Sequence, residues 1–287
     1  MRILLATHRF ADDNAGGTEI LADDLTRALK ARGLHVSWLA AGDPPPPHQR
    51  TADEYLSLPA VFTDDYPAGW RAQEAEQAGR VEQLLATRPP VDLVHVLHFS
   101  RTGLEFLNVP SLCGVPVVAT LTDYTAVCPD HQLVVRSSGT QCTVTAASRD
   151  CLGCLEAPRE AVGDVTDWRA RNVAWLNGRV RALWTQTPHQ AVELGNAGVD
   201  LGNVIRDRAC YGLPSAWAPL ATTGPAGQYL LFLGRCSPEK GLHVLLDAFR
   251  ASDTELPLLI ATVPDDKVYE ERMRALAAAD PRVRWLP

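Results

Sequence analysis

The amino-acid sequence predicts an α/β protein built on a doubly wound parallel sheet, and three observations carry that expectation. Short β-branched or leucine-rich runs alternate with longer amphipathic runs along nearly the whole chain. That alternation is the pattern of strand–helix–strand units with right-handed crossovers. The opening run, Arg2 to Thr7, is apolar and leads through a glycine turn into a helical pattern. Finally, a stretch rich in Pro, Gly, Ala and Thr over 213–227 reads as a linker between a first α/β block, 1–212, and a shorter second one, 228–287.

Taken in order, the strand at Arg2 to Thr7 precedes a helix over Thr18 to Arg32, in which Ile20, Leu21, Leu25, Ala28 and Leu29 recur at near-helical spacing. Gly33 ends that helix and His35 to Ala40 begins the next strand. Pro44 to Pro47 is a stiff stretch expected in an exposed loop. A helix over Arg71 to Ala86 and strands at Asp92 to Leu97 and Val115 to Leu121 follow, then a cysteine-bearing insertion over 124–157. A helix at Val165 to Val180, a strand at Ala182 to Gln186, a helix at His189 to Ala197 and a short strand at Asn203 to Asp207 complete the first block. The second block reads as strand, helix, strand, helix and strand stub, ending at Leu286. At roughly 60 residues it is small for an independent α/β domain, so it either docks on the first block or is a fragment.

Composition narrows the function classes. The chain has 287 residues, 46% hydrophobic and 21% charged, ordinary values for a protein with a sizeable core. Lys and Arg number 27 against 34 Asp and Glu, a net charge of −7. That balance excludes general binding to a nucleic-acid backbone and leaves room for a local diphosphate pocket. No run approaches the length of a membrane span, and Ile3 to Ala6 is too short for a signal-peptide core. A cytoplasmic protein is expected, with peripheral contact at the inner face of a membrane left open.

Two turns carry the chemistry. Asn14-Ala15-Gly16-Gly17-Thr18-Glu19 lies between the first strand and helix. Paired glycines allow close backbone approach, and the helix N-terminus offers unpaired N–H groups to a phosphate. The simpler alternative is a tight turn capped by Thr18. The dinucleotide fingerprint G-x-G-x-x-G is absent, which weakens a dinucleotide-dependent oxidoreductase reading. In the second block Leu233-Gly234-Arg235-Cys236-Ser237-Pro238-Glu239-Lys240-Gly241 joins a strand to a helix. Arg235 and Lys240 flank the turn and can converge on a diphosphate, the alternative being a solvated turn in which the cations pair with Glu239.

These two turns, with Thr120-Leu121-Thr122-Asp123-Tyr124 and Thr185-Gln186-Thr187-Pro188 between them, resemble family 4 glycosyltransferases in the right order over nearly the whole chain. The resemblance implies a GT-B fold of two Rossmann-like domains, acceptor-binding first and donor-binding second, the latter cut short here. It implies retaining transfer of a sugar from a UDP- or GDP-linked donor to a hydroxyl acceptor, a sugar or lipid-linked sugar, in polysaccharide or glycoconjugate biosynthesis. Carried over, Arg235 and Lys240 neutralise the donor diphosphate, Gly16, Gly17 and Glu19 line the donor site, and no catalytic metal is needed. Two departures stand out. Thr122 replaces a histidine that the family places near the transferred sugar, and the paired-glutamate element that grips sugar and ribose lies beyond residue 287. An inert sugar- or nucleotide-binding remnant and a nucleotide-sugar epimerase of the same fold are the rival readings.

Among other polar residues, His98 stands near the C-terminal end of its strand, where open α/β sheets hold ligands, and Asp123 ends another. Thr122, Asp123 and His98 are therefore the catalytic candidates, Asp123 as base or as the group that orients an acceptor hydroxyl. His8 and Arg9 are similarly placed, and for both His95 and His98 the alternative is a satisfied, partly buried histidine. Cys128, Cys142, Cys151 and Cys154 fall in one polar loop closed by a C-x-x-C turn, spacing suited to structural zinc. An iron–sulfur cluster or unligated thiols are the alternatives. Cys113, Cys210 and Cys236 read as small buried residues.

Overall fold

The structure, a computed structural model, describes residues 1–11, 16–60, 70–135, 140–143, 151, 162–205, 227–264 and 267–286. The chain divides into two compact units, Met1–Trp217 and Ala218–Pro287.

Unit 1 is organised by a seven-stranded sheet. Its strands are β1 (Arg2–Arg9), β2 (His35–Ala41), β3 (Glu54–Leu58), β4 (Leu93–Val96), β5 (Val117–Leu121), then, after a small antiparallel hairpin of β6 (Val134–Val135) and β7 (Thr140–Gln141), β8 (Val180–Thr185) and β9 (Val204–Ile205). The order is β3-β2-β1-β4-β5-β8-β9, every pairing parallel. Helices α1 (Gly17–Lys30), α2 (Trp70–Leu85), α3 (Val162–Arg179) and α4 (Pro188–Asn196) connect the strands.

Ile3, Leu4, Leu5 and Ala6 are all buried, as an apolar run must be in a central strand covered on both faces. Alternate residues divide between the faces. Leu4, Ala6 and Leu39 join one core, with Val81 and Leu85 of α2. Leu5, Val36, Trp38 and Ala40 join the other, with Ala22 of α1. Gly33, at φ +77, ends α1 and bonds back to the Lys30 carbonyl, as expected of a C-terminal glycine. Strand β3 escapes sequence reading because it is a short edge strand with Ser57 exposed. The proline stretch is a loop, but Pro45 is buried.

The strand order places the site. Strands β2 and β3 lie on one side of β1, and β4, β5, β8 and β9 on the other. The winding therefore reverses between β1 and β4, opening a crevice above their C-terminal ends.

Unit 2 holds a parallel sheet of β10 (Leu230–Cys236), β11 (Leu258–Pro264) and β12 (Val283–Trp285), with α5 (Leu242–Arg250) and α6 (Lys267–Ala277). Leu242, Leu246, Phe249, Ile260 and Met273 form its core. Cys236 is buried as expected, but Cys113 is exposed, and Cys210 lies outside the described residues. Among the described residues, no helix is long and apolar enough to cross a membrane.

Candidate functional site

The glycine turn is held from beneath by a buried carboxylate. Gly16 is the residue preceding α1, so Thr18 is not the cap; its hydroxyl instead donates to Thr122 Oγ1 at 2.7 Å. Glu19, only 1% exposed, accepts the Gly16 N–H at 2.6 Å and lies 3.4 Å from Arg9 Nη2 and 3.1 Å from His8 Nε2. Gly16 and Gly17 are exposed and Glu19 is not, so the glycines can meet a ligand while Glu19 shapes the turn. A methyl group at Gly16 would stand 3.0 Å from Glu19 Oε2 and push on that clamp.

His8, at the end of β1, is held neutral, its pKa lowered to about 2 by burial first, then by His98, Arg9 and Arg101 against the opposing pull of Asp123. Its Nε2 lies 3.1 Å from Glu19 Oε1, a close approach of a neutral ring to the carboxylate.

Beside it, above β4 and β5, is a hydrogen-bonded network. His98 Nδ1 accepts the Ser100 N–H at 3.2 Å, so the proton of the neutral ring sits on Nε2, which donates to Asp123 Oδ2 at 2.8 Å. Thr125 donates its N–H and hydroxyl to Asp123 Oδ1, at 2.8 and 2.5 Å, and its hydroxyl also meets His131 Nδ1 at 2.9 Å. Burial pushes the Asp123 carboxyl up. The adjacent His98 ring, the hydrogen bonds from His98 and Thr125, and the nearby His131 ring more than offset it and hold the group well below the carboxylate range. Asp123 is consequently an anion and a hydrogen-bond acceptor, too weakly basic for a strong general base. Its Oδ2 keeps acceptor capacity beyond the His98 bond. His98 is buried and bonded to Asp123.

His98, Asp123 and His131 also offer three ligand atoms within 4.8 Å of one another. The donor set would suit a transition metal. The Ser100 contact opposes it, because a ligating histidine presents a bare nitrogen to the metal and donates through the other. The group is a proton-ordered network.

Sequence reasoning missed the residues that hold Asp123 in place. Gln190, buried inside the first turn of α4, donates to the carbonyls of Asp123 at 2.7 Å and Leu121 at 3.3 Å and accepts the Gln186 N–H at 2.7 Å. Gln186 donates to the Thr122 carbonyl at 2.9 Å. A glutamine in a helix carries no sequence signal of this kind. His131 and Leu133, at φ +65 and +53, make a left-handed turn that the sequence does not announce either. His95 is half-buried and satisfied, bonded to Thr120 Oγ1 at 2.9 Å, its pKa lowered to about 4 by burial.

In unit 2, Gly241 at φ +71 turns the chain from the basic turn into α5, a conformation that favours glycine. Arg235 is exposed and pairs with Glu239 Oε1 at 3.0 Å, the alternative the sequence raised, and Ser237 donates to the same oxygen. Lys240 is exposed and makes no ion pair among the described residues.

Of the four clustered cysteines, Cys154 lies outside the described residues. Cys128 is buried, and the backbone N–H groups of Asp130, Gln132 and Leu133 converge on its sulfur. Cys151 Sγ accepts from Arg169 Nη2 at 2.7 Å, and Arg169 Nε donates to the Val127 carbonyl next to Cys128. Among the described residues the three thiols do not gather within 4.8 Å of one another.

A parallel sheet with a topological switch point, a glycine turn opening the first helix and polar residues at the strand ends define a Rossmann-like α/β protein. Residues 15–126 match the model of Glycosyltransferase Family 4. That match covers less than half of the chain, and the fold is an α/β fold of GT-B type. It is similar to the Anabaena protein Alr3699/HepE in complex with UDP and glucose (TM-score 0.59, 14% identity, 100% of this chain and 69% of that one). It is also similar to apo lipopolysaccharide outer core galactosyltransferase WaaB (0.52, 10%, 99% and 67%) and to UDP-N-acetylglucosamine 2-epimerase from Rickettsia bellii (0.50, 11%, 100% and 68%). No curated protein matches the chain. At these identities the likeness shows the fold.

Proposed function

We propose that this protein is a retaining glycosyltransferase that moves a sugar from a nucleotide-diphosphate donor, UDP- or GDP-linked, to a hydroxyl of a sugar or lipid-linked acceptor in polysaccharide or glycoconjugate biosynthesis. The observation that carries this reading is the Asp123 anion, fixed by His98 and Thr125 at the switch point beside the α1 glycine turn. Asp123 Oδ2 would accept the acceptor hydroxyl and orient its oxygen. Because Asp123 is a weak base, the proton would leave on the departing diphosphate as the sugar–phosphate bond breaks and the new glycosidic bond forms. Arg235 and Lys240, with the N-terminus of α5, would hold that diphosphate and stabilise its growing charge. Gly16 and Gly17 would offer backbone N–H groups to the donor, and Thr122 a hydroxyl to the transferred sugar.

Calorimetric titration with UDP and GDP tests the donor assignment. Arg235→Ala is expected to weaken binding by about tenfold or more; no binding of either nucleotide to the wild-type chain sinks the reading and favours an inert remnant. The epimerase-like neighbour motivates one further control: incubation with UDP-sugar alone, where a changed sugar nucleotide without acceptor would establish epimerisation instead.

Structural zinc on Cys128, Cys142, Cys151 and Cys154 is a separate proposal, resting on the C-x-x-C spacing, and it would have to overcome the burial that pushes the Cys128 thiol up to about 11. Metal analysis of the purified chain should find about one zinc, lost in Cys128→Ser; a metal-free wild type would remove it.

A further inference from the structure

The opposite end of the unit 1 sheet carries a second concentration of cations. Arg171, Trp175 and Arg179 lie along one face of α3 and, with Ala174, line a cavity of about 270 Å³. Arg179 also borders a larger cavity, of about 560 Å³, with Gly114, Asn177, Gly178 and Arg181 at the start of β8. Strand β8 runs from there to Thr185, so this region lies roughly 17 Å from the Asp123 network, at the N-terminal rather than the C-terminal strand ends.

The arginines are anchored but not saturated. Arg171 Nη1 bonds Glu74 Oε2 at 2.8 Å, and Arg179 Nη2 bonds the Leu107 carbonyl at 2.9 Å and the Leu112 carbonyl at 3.4 Å. The Nε–H groups of both are buried without an acceptor. Arg181 is exposed and makes no side-chain hydrogen bond or ion pair among the described residues. Among the described residues no carboxylate lines either cavity, although Glu74 pairs with Arg171. Two glycines keep the larger one open, since a methyl group at Gly114 or Gly178 would meet nothing within 4 Å. The Arg179 guanidinium lies 5.9 Å from the Trp175 ring centre, which puts a flat apolar surface beside the cations.

We propose that this region is a second binding site, for a small sugar-sized molecule bearing a phosphate or carboxylate. The anion would bond the guanidinium groups of Arg179 and Arg181, and the body of the ligand would lie against Trp175 and the space left by Gly178. The carbonyl end of α3 repels an anion, so binding depends on the arginines rather than on the helix. The cavity volume suits one small ligand. The site is independent of the donor reading, because it uses neither Asp123 nor Arg235.

Ligand-observed NMR titration of the full chain tests it, with glucose 1-phosphate, glucuronate, inorganic phosphate and neutral glucose as probes. Saturable binding of at least one anionic sugar is expected, tighter than that of phosphate or glucose. Arg181→Gln and the cavity-filling Gly178→Leu should each weaken it about fivefold or more, while Arg235→Ala leaves it unchanged. Two variants are used so that loss of charge and loss of space are read separately, both at positions outside the core. Absence of saturable binding, equal binding of glucose or inorganic phosphate, or binding lost in Arg235→Ala but retained in both α3-end variants would overturn the proposal.

Discussion

The glycine turn of unit 1 and the basic turn of unit 2 occupy the same place in a strand–turn–helix unit, and they spend charge in opposite ways. In the first, the acidic residue is buried: Glu19 gathers Gly16, Arg9 and His8 and exposes 1% of its side chain. In the second, Glu239 takes one exposed cation, Arg235, and leaves Lys240 outside any ion pair among the described residues. A buried anion with several donors fixes a shape. An exposed pair in high dielectric is weak enough for an incoming diphosphate to displace.

The largest effect should come from breaking the buried clamp. Glu19→Ala leaves the Gly16 N–H and the half-buried Arg9 guanidinium without their buried acceptor, and should lower unfolding free energy by about 2 kcal/mol in urea. Glu239→Ala should change it by less than about 1 kcal/mol. Equal losses would show that the two turns do not differ as described.

A second test uses pH. His95 titrates near 4 when folded because burial disfavours its cation, against about 6.5 when unfolded. Below pH 6.5 the unfolded chain therefore binds a proton that the folded chain does not, and stability falls as pH falls. Between pH 6.5 and 5 that histidine alone should account for about 2 kcal/mol, a loss reduced in His95→Gln. An unchanged pH profile in the variant would place His95 in contact with solvent.

The smallest effect sharpens the other side of the comparison. Glu239→Gln removes the anion that competes for Arg235 and should tighten UDP binding by about two- to fivefold in calorimetry. Weaker binding would mean that Glu239 instead holds Arg235 in its productive position.

Most of the element order was legible in the sequence because apolar periodicity reports burial directly: Ile3 to Ala6, Val36 to Ala40 and Val117 to Leu121 are core strands as read. The glycine turn and the Asp123 and His98 positions were legible because a parallel sheet brings its strand ends to one edge. What lay out of reach was the role of each polar side chain. Glu19, which the resemblance places in the lining of the donor site, is buried beneath the turn; Thr18, the alternative cap, bonds Thr122, some hundred residues away in the chain; His98, a catalytic candidate, is bonded to Asp123. Gln190 and the left-handed His131 carried no signal at all.

The sequence by itself determined the parallel α/β architecture and the edge of the sheet where polar residues collect, since both follow from local periodicity and crossover handedness. Only the tertiary structure decided which hydrogen-bond partner each of those residues takes. That choice is set by distances between side chains from different strands and helices, and no local spacing encodes them.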